Sequence, residues 1–124
     1  MQENVLGVME SRFADLIWEH APISTGELVK LCQEAFDWKR TTTYTMLKRL
    51  CQRGIFANEN SVVVVLISKE EFHGKQSEQF VADTFGGSLP AFIAAFTKGK
   101  TLSDEEADEI QQLIEESRRK KKGC

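Results

Sequence analysis

The sequence predicts a mainly α protein with one β-hairpin, and three observations carry that reading. Apolar residues recur at helical spacing along six separate stretches. Ser24, Ser68 and Ser103 each stand three residues ahead of a Glu, the spacing of a capping box at a helix start. One β-branched run, Val62 to Ile67, breaks the helical period after a turn-rich connection.

The elements follow in order. Val5, Val8, Met9, Phe13, Leu16 and Ile17 lie near one face of a first helix, which ends ahead of Pro22. A second helix spans about residues 24 to 36, with Leu28, Leu31, Cys32 and Ala35 at i, i+3, i+4 and i+7. A third lies within Arg40 to Arg53 and stops at Gly54, a natural C′ residue. Its apolar face is Thr43, Met46, Leu47 and Leu50; Thr41, Tyr44, Thr45 and Lys48 form the opposite face, with Thr42, Arg49 and Arg53 along a flank. Ile55 to Ala57 and Val62 to Ile67 read as hairpin strands joined by Asn58-Glu59-Asn60-Ser61. Three short helices and a hairpin make a winged helix-turn-helix over residues 1–68.

The remaining stretch, 69–124, predicts three more helices. The fourth carries Phe72, Phe80, Val81 and Phe85 and stops at Gly86-Gly87. Ser88 caps a fifth with Leu89, Phe92, Ile93 and Phe96 in register. The sixth carries Ala107, Ile110, Leu113 and Ile114, with acids in its first turn and Arg118 to Lys122 at its end, as the helix dipole favours. So short a segment builds only a small core of its own. Its stripes are expected to close a C₂ homodimer through Phe80, Phe85, Leu89, Phe92, Ile93, Phe96, Ile110, Leu113 and Ile114. The other solution is that these helices pack back onto residues 1–68.

The 124 residues carry a net charge of -3 and 41% hydrophobic residues, consistent with one domain or two small units. No apolar run approaches the roughly 20 residues that span a bilayer. Met1 to Asn4 do not open a signal peptide, so a cytoplasmic protein with no direct membrane insertion is expected. Cys32, Cys51 and Cys124 form neither a disulfide framework nor a zinc pattern, and His20 and His73 are isolated. No phosphate loop or nucleophile elbow is present, so no cofactor, metal or enzymatic activity is expected.

Overall acidity argues mildly against a nucleic-acid partner. The third helix reverses that reading. Lys39 to Arg53 holds five basic residues and no acidic one. Short hydroxyls flanked by cations suit a helix in the major groove of double-stranded DNA. Thr41, Thr42, Tyr44 and Thr45 are expected at base edges. Lys39, Arg40, Lys48, Arg49 and Arg53 are expected at phosphates, with Arg40 and Arg49 also as base readers. Asn60 is the candidate contact of the wing, whose connection carries no cation.

A resemblance rests on residues already named. Phe13 to Glu19, Asp37-Trp38, Thr41-Thr42, Thr45 to Leu50 and Arg53-Gly54 resemble the penicillinase-repressor family, as do Phe85 to Ala91 and Leu102 to Glu106. The resemblance implies a homodimeric winged-helix repressor on an inverted-repeat operator, commonly with a TACA/TGTA core. It implies control of genes for β-lactam resistance or copper handling, and in some members a membrane sensor that prompts proteolysis. The family's proteolytic site maps to Ala95-Phe96, where penicillinase repressors have Asn in place of Ala95. Ser-Pro commonly opens the family's recognition helix; here Lys39 and Arg40 stand there. The paired cysteines of the copper-responsive branch are missing from the C-terminal sequence, where only Cys124 stands. The competing reading is a winged-helix protein-interaction module whose third helix docks on an acidic protein.

Overall fold

The computed structural model describes residues 6–122; Val5 and Cys124 lie outside the described residues. Helix α1 (Val8–His20) starts at Gly7, whose N–H donates to the Glu10 carboxylate at 3.2 Å. It buries Phe13, Ala14 and Ile17 but leaves Val8 and Met9 exposed, so the expected stripe narrows to the later turns. Helix α2 (Thr25–Phe36) begins at Ser24, whose hydroxyl accepts from the Glu27 N–H. Leu28 and Cys32 are buried and Leu31 half-buried, whereas Ala35 is exposed in the last turn. Helix α3 (Arg40–Gln52) buries Thr43, Leu47 and Leu50.

The hairpin is tighter than its sequence suggests. Strands β2 (Phe56–Glu59) and β3 (Val62–Val65) pair Glu59 with Val62, so only Asn60 and Ser61 form the turn. Both have positive φ, 52° and 66°, as a type I′ hairpin turn requires. Asn58 and Glu59 therefore belong to the strand and not to the connection. A third strand, β1 (Ile23–Ser24), also pairs with β3, giving an antiparallel sheet of order β1-β3-β2. Its two residues are too few to show an alternating pattern. Val63 on the central strand is buried, and Val62 and Val65 are exposed.

Helix α4 (Lys69–Phe85) opens at Ser68, whose hydroxyl accepts from the Glu71 N–H at 3.1 Å. Phe72 in its first turn is buried with Phe13, Ile17, Phe56 and Val63. Trp18 packs its ring near Phe56 and Phe72, at centroid distances of 5.3 and 5.8 Å, and donates its indole N–H to the Ile67 carbonyl. Trp18 thus ties α1, the sheet and the start of α4 together.

The chain divides into two compact units, with the division between Phe80 and Val81, inside α4. In the second unit, Gly86 and Gly87 take positive φ, and the Gly87 N–H returns to the Val81 carbonyl at 3.0 Å, closing α4. Helix α5 (Leu89–Gly99) is capped by Ser88. Helix α6 (Asp104–Lys122) has a full capping box: Ser103 accepts from the Glu106 N–H, and the Glu106 carboxylate accepts from the Ser103 N–H. Phe92 packs on Phe85 at 5.5 Å and 66°, an edge-to-face contact. No single helix among the described residues is long and apolar enough to cross a membrane.

Candidate nucleic-acid interface

The entry to α3 is set by the end of α2. Asp37 adopts the left-handed conformation at φ 55°, and the Asp37 N–H bonds the Gln33 carbonyl at 3.0 Å. Trp38 follows with its ring 5.4 Å from Phe13 and 4.9 Å from Phe36. That aromatic anchor fixes the turn from which α3 departs. Asp37 ends α2 through its backbone. Lys39 holds the N-cap position of α3 with no side-chain cap hydrogen bond.

The inner face of α3 is apolar with one exception. Thr43 is 1% exposed, and its hydroxyl has no hydrogen-bond partner of good geometry. The Cys32 thiol interacts with it weakly; burial pushes that thiol up, and the Thr43 contact opposes the shift. Burial likewise pushes the Cys51 thiol up, opposed by the backbone of Asn58. Both cysteines are thus held as neutral thiols, free of any disulfide.

The outer face brings the expected residues together. Lys39, Arg40, Thr41, Thr42, Thr45, Lys48 and Arg49 are exposed. No acidic residue occurs between Asp37 and Glu59, so α3 itself contributes only positive charge to this face despite the chain's net -3. Tyr44 departs from the expectation: it is half-buried. The Arg40 guanidinium lies 5.4 Å from its ring centroid, and Arg40 Nη2 donates to the Tyr44 hydroxyl at 3.5 Å. Residue types and i, i+4 spacing signal this pair in the sequence; only side-chain placement selects it over other i, i+4 neighbours. Thr45 Oγ1 donates to the Thr41 carbonyl at 2.9 Å, and the Arg49 guanidinium reaches Met46 Sδ at 3.8 Å. Arg53 is half-buried at the C-cap. Asn60 is exposed at the hairpin tip.

The chain matches the family described as penicillinase repressor over residues 6–116. It belongs to the penicillinase repressor family. It is 31% identical over 111 residues to a penicillinase repressor of Bacillus licheniformis, covering 86% of this chain and 87% of that one. It is 21% identical over 109 residues to the methicillin resistance regulatory protein MecI of Staphylococcus aureus, covering 85% and 89%. A MecI protein of Mammaliicoccus sciuri is 20% identical over 104 residues, covering 81% and 85%. The penicillinase repressor family is thus matched along nearly the whole chain, through the winged helix and into α6.

The second unit carries the other set of candidate residues. Leu89 is 57% exposed, Phe96 46% and Leu113 62%, and Ile93 and Ile114 are also exposed. Phe85, Phe92 and Ile110 are half-buried, and Phe80, at the end of the first unit, is exposed. Ala95 is exposed next to Phe96 on α5. Among the described residues no group of three or more His, Cys, Asp or Glu side chains is placed to hold a metal ion.

Proposed function

We propose that the chain is a dimeric transcriptional repressor that reads an inverted-repeat operator in double-stranded DNA with α3. One observation carries the reading: a member of a repressor family presents an exposed, acid-free α3 face of hydroxyls and cations. Lys39, Arg40, Lys48, Arg49 and Arg53 serve phosphates, with Arg40 and Arg49 also placed to read bases, and Thr41, Thr42 and Thr45 face base edges. The wing offers Asn60 and no cation in its turn, so α3 supplies most of the counterion release. The relatives' names favour this over a protein-interaction module, and the family is one of repressors and not of enzymes. A repressor acts where the DNA is, which puts the chain in the cytoplasm.

The exposed apolar side chains of α5 and α6 support the homodimer. Isolated Leu or Phe side chains are common on surfaces, but Leu89, Ile93 and Phe96 share one helical face. An inverted repeat with half-sites one turn apart needs two α3 helices about 34–36 Å apart, which a symmetric dimer can supply. Within this reading a membrane sensor protease is a candidate partner, with Ala95–Phe96 the bond to examine in the cleaved protein.

The test is a gel shift of the full-length chain on the promoter of its own gene across a salt series, with footprinting. The expected result is a steep loss of binding from low to moderate salt and protection of an inverted repeat. Absence of retardation by a chain shown to be dimeric overturns the reading. Thr45→Ala is expected to alter preference at particular base pairs by about 1–3 kcal/mol, whereas Lys48→Ala weakens all sequences and flattens the salt slope.

A further inference from the structure

We infer that Arg40 and Tyr44 act as one unit, in which the Tyr44 ring holds the Arg40 guanidinium ready to read a guanine in each operator half-site. The inference rests on the repressor reading and assigns the pair that sets its sequence preference.

Arg40 is the first residue of α3, where helix-turn-helix proteins bring side chains to base edges. A cation there opposes the helix dipole, so helix stability does not account for it. No acidic residue occurs from Trp38 to Asn58 to hold it by local charge pairing. It is held instead by an aromatic ring, with its central carbon 5.4 Å from the Tyr44 centroid and Nη2 at 3.5 Å from the hydroxyl. Tyr44 is half-buried, so its ring is more restricted than a fully exposed one, while Arg40 itself is exposed. The Tyr44 hydroxyl engages one Nη2 hydrogen and leaves Nη1 and the second Nη2 hydrogen as an edge for DNA. That edge is the fork that bonds guanine O6 and N7 together.

The neighbouring side chains are less suited to the task. The Thr45 hydroxyl has already given its hydrogen to the Thr41 carbonyl, so it meets DNA as an acceptor and a methyl group. The Arg49 guanidinium lies against Met46, three residues back along the helix flank. Arg40 combines the N-terminal position, exposure and an aromatic neighbour that holds its guanidinium.

The experiment selects a site from a pool of random-sequence DNA duplexes with the full-length wild-type chain, then varies that site one base pair at a time. Arg40→Lys keeps the charge and removes the fork. It is expected to lose about 10- to 100-fold of discrimination at one G·C pair per half-site, with the salt slope on unrelated DNA unchanged. Tyr44→Phe keeps the ring and is expected to keep the preference. Tyr44→Leu is expected to relax the same base pair as Arg40→Lys, and the double variant to lose no more than Arg40→Lys alone. Circular dichroism of each variant confirms the fold before selection, and Tyr44→Gln, which also removes the ring, serves if Tyr44→Leu unfolds. Retention of the wild-type preference by Arg40→Lys overturns the inference and leaves the repressor reading standing. So does a loss in Tyr44→Leu confined to a different base pair. Failure of the wild-type chain to select any sequence overturns both.

Discussion

Thr43 and Lys39 stand at opposite ends of the same problem, a polar group placed where the fold gains little from it. The Thr43 hydroxyl is buried against the core without a good partner. An unsatisfied buried hydroxyl costs about 1–3 kcal/mol, and valine fills the same shape without it. Thr43→Val is therefore expected to raise the unfolding free energy by roughly 1 kcal/mol in urea denaturation, with DNA binding unchanged. Lys39 at the α3 N-cap makes no cap hydrogen bond and brings positive charge to the positive end of the helix dipole. Lys39→Ser supplies a cap and is expected to stabilise the free protein by about 0.5–2 kcal/mol while weakening DNA binding. An unchanged melting temperature with unchanged affinity would count against that assignment. At this scale the sequence showed Lys39 and Arg40 where the family commonly has Ser-Pro, and the structure showed that Lys39 makes no cap hydrogen bond. The sequence did not show the unpartnered Thr43, which reads on the helical wheel as one more position of the inner stripe.

At the scale of elements, the helix starts were the most legible feature. Ser24, Ser68, Ser88 and Ser103 each cap a helix, since a cap is a local contact made within a few residues. The hairpin was legible as an element but not in its register. Its turn contains Asn60 and Ser61 alone, both at positive φ. Asn is favoured at such a position and Ser is not, so Ser61 bears the strain. Ser61→Gly is expected to stabilise the protein by about 0.5–1 kcal/mol, read as a higher urea midpoint with an unchanged slope. Strand β1 was hidden for a different reason. Its two residues gain order only by pairing with β3, a partner nearly forty positions away in sequence. The outward-facing Val8 and Met9 and the exposed Ala35 show the same limit: periodicity finds a face but not how far along the helix the core reaches.

For the whole molecule, charge and apolar surface are distributed unevenly, and both distributions bear on function. The net charge of -3 coexists with a run from Lys39 to Arg53 that carries five cations and no acid. Under the proposed repressor reading, one chain is expected to bind DNA weakly without sequence preference and to depend on pairing two α3 helices. In the proposed dimer the exposed apolar side chains of α5 and α6 are the surface for pairing. Phe96→Asp places a charge at the middle of that surface, on a side chain 46% exposed in the single chain. It is expected to leave the melting of the winged helix intact, convert the dimer to monomer in sedimentation experiments, and reduce operator affinity at least tenfold. A dimer that persists in this variant with full affinity would move the interface elsewhere.

The sequence by itself determined the order of the six helices and the hairpin, the four serine caps, the family and the cationic face of α3. Each of these depends on neighbours within one or two helical turns, or on residue types in a fixed order. Tertiary structure decided what depends on residues brought together from afar. It placed Trp38 between Phe13 and Phe36 to aim α3, and it recruited Ile23 and Ser24 as a third strand. It also buried the Thr43 hydroxyl and set the Arg40 guanidinium on the Tyr44 ring. The physical reason is that packing and pairing energies arise between side chains in space, whereas composition and periodicity record only positions along the chain.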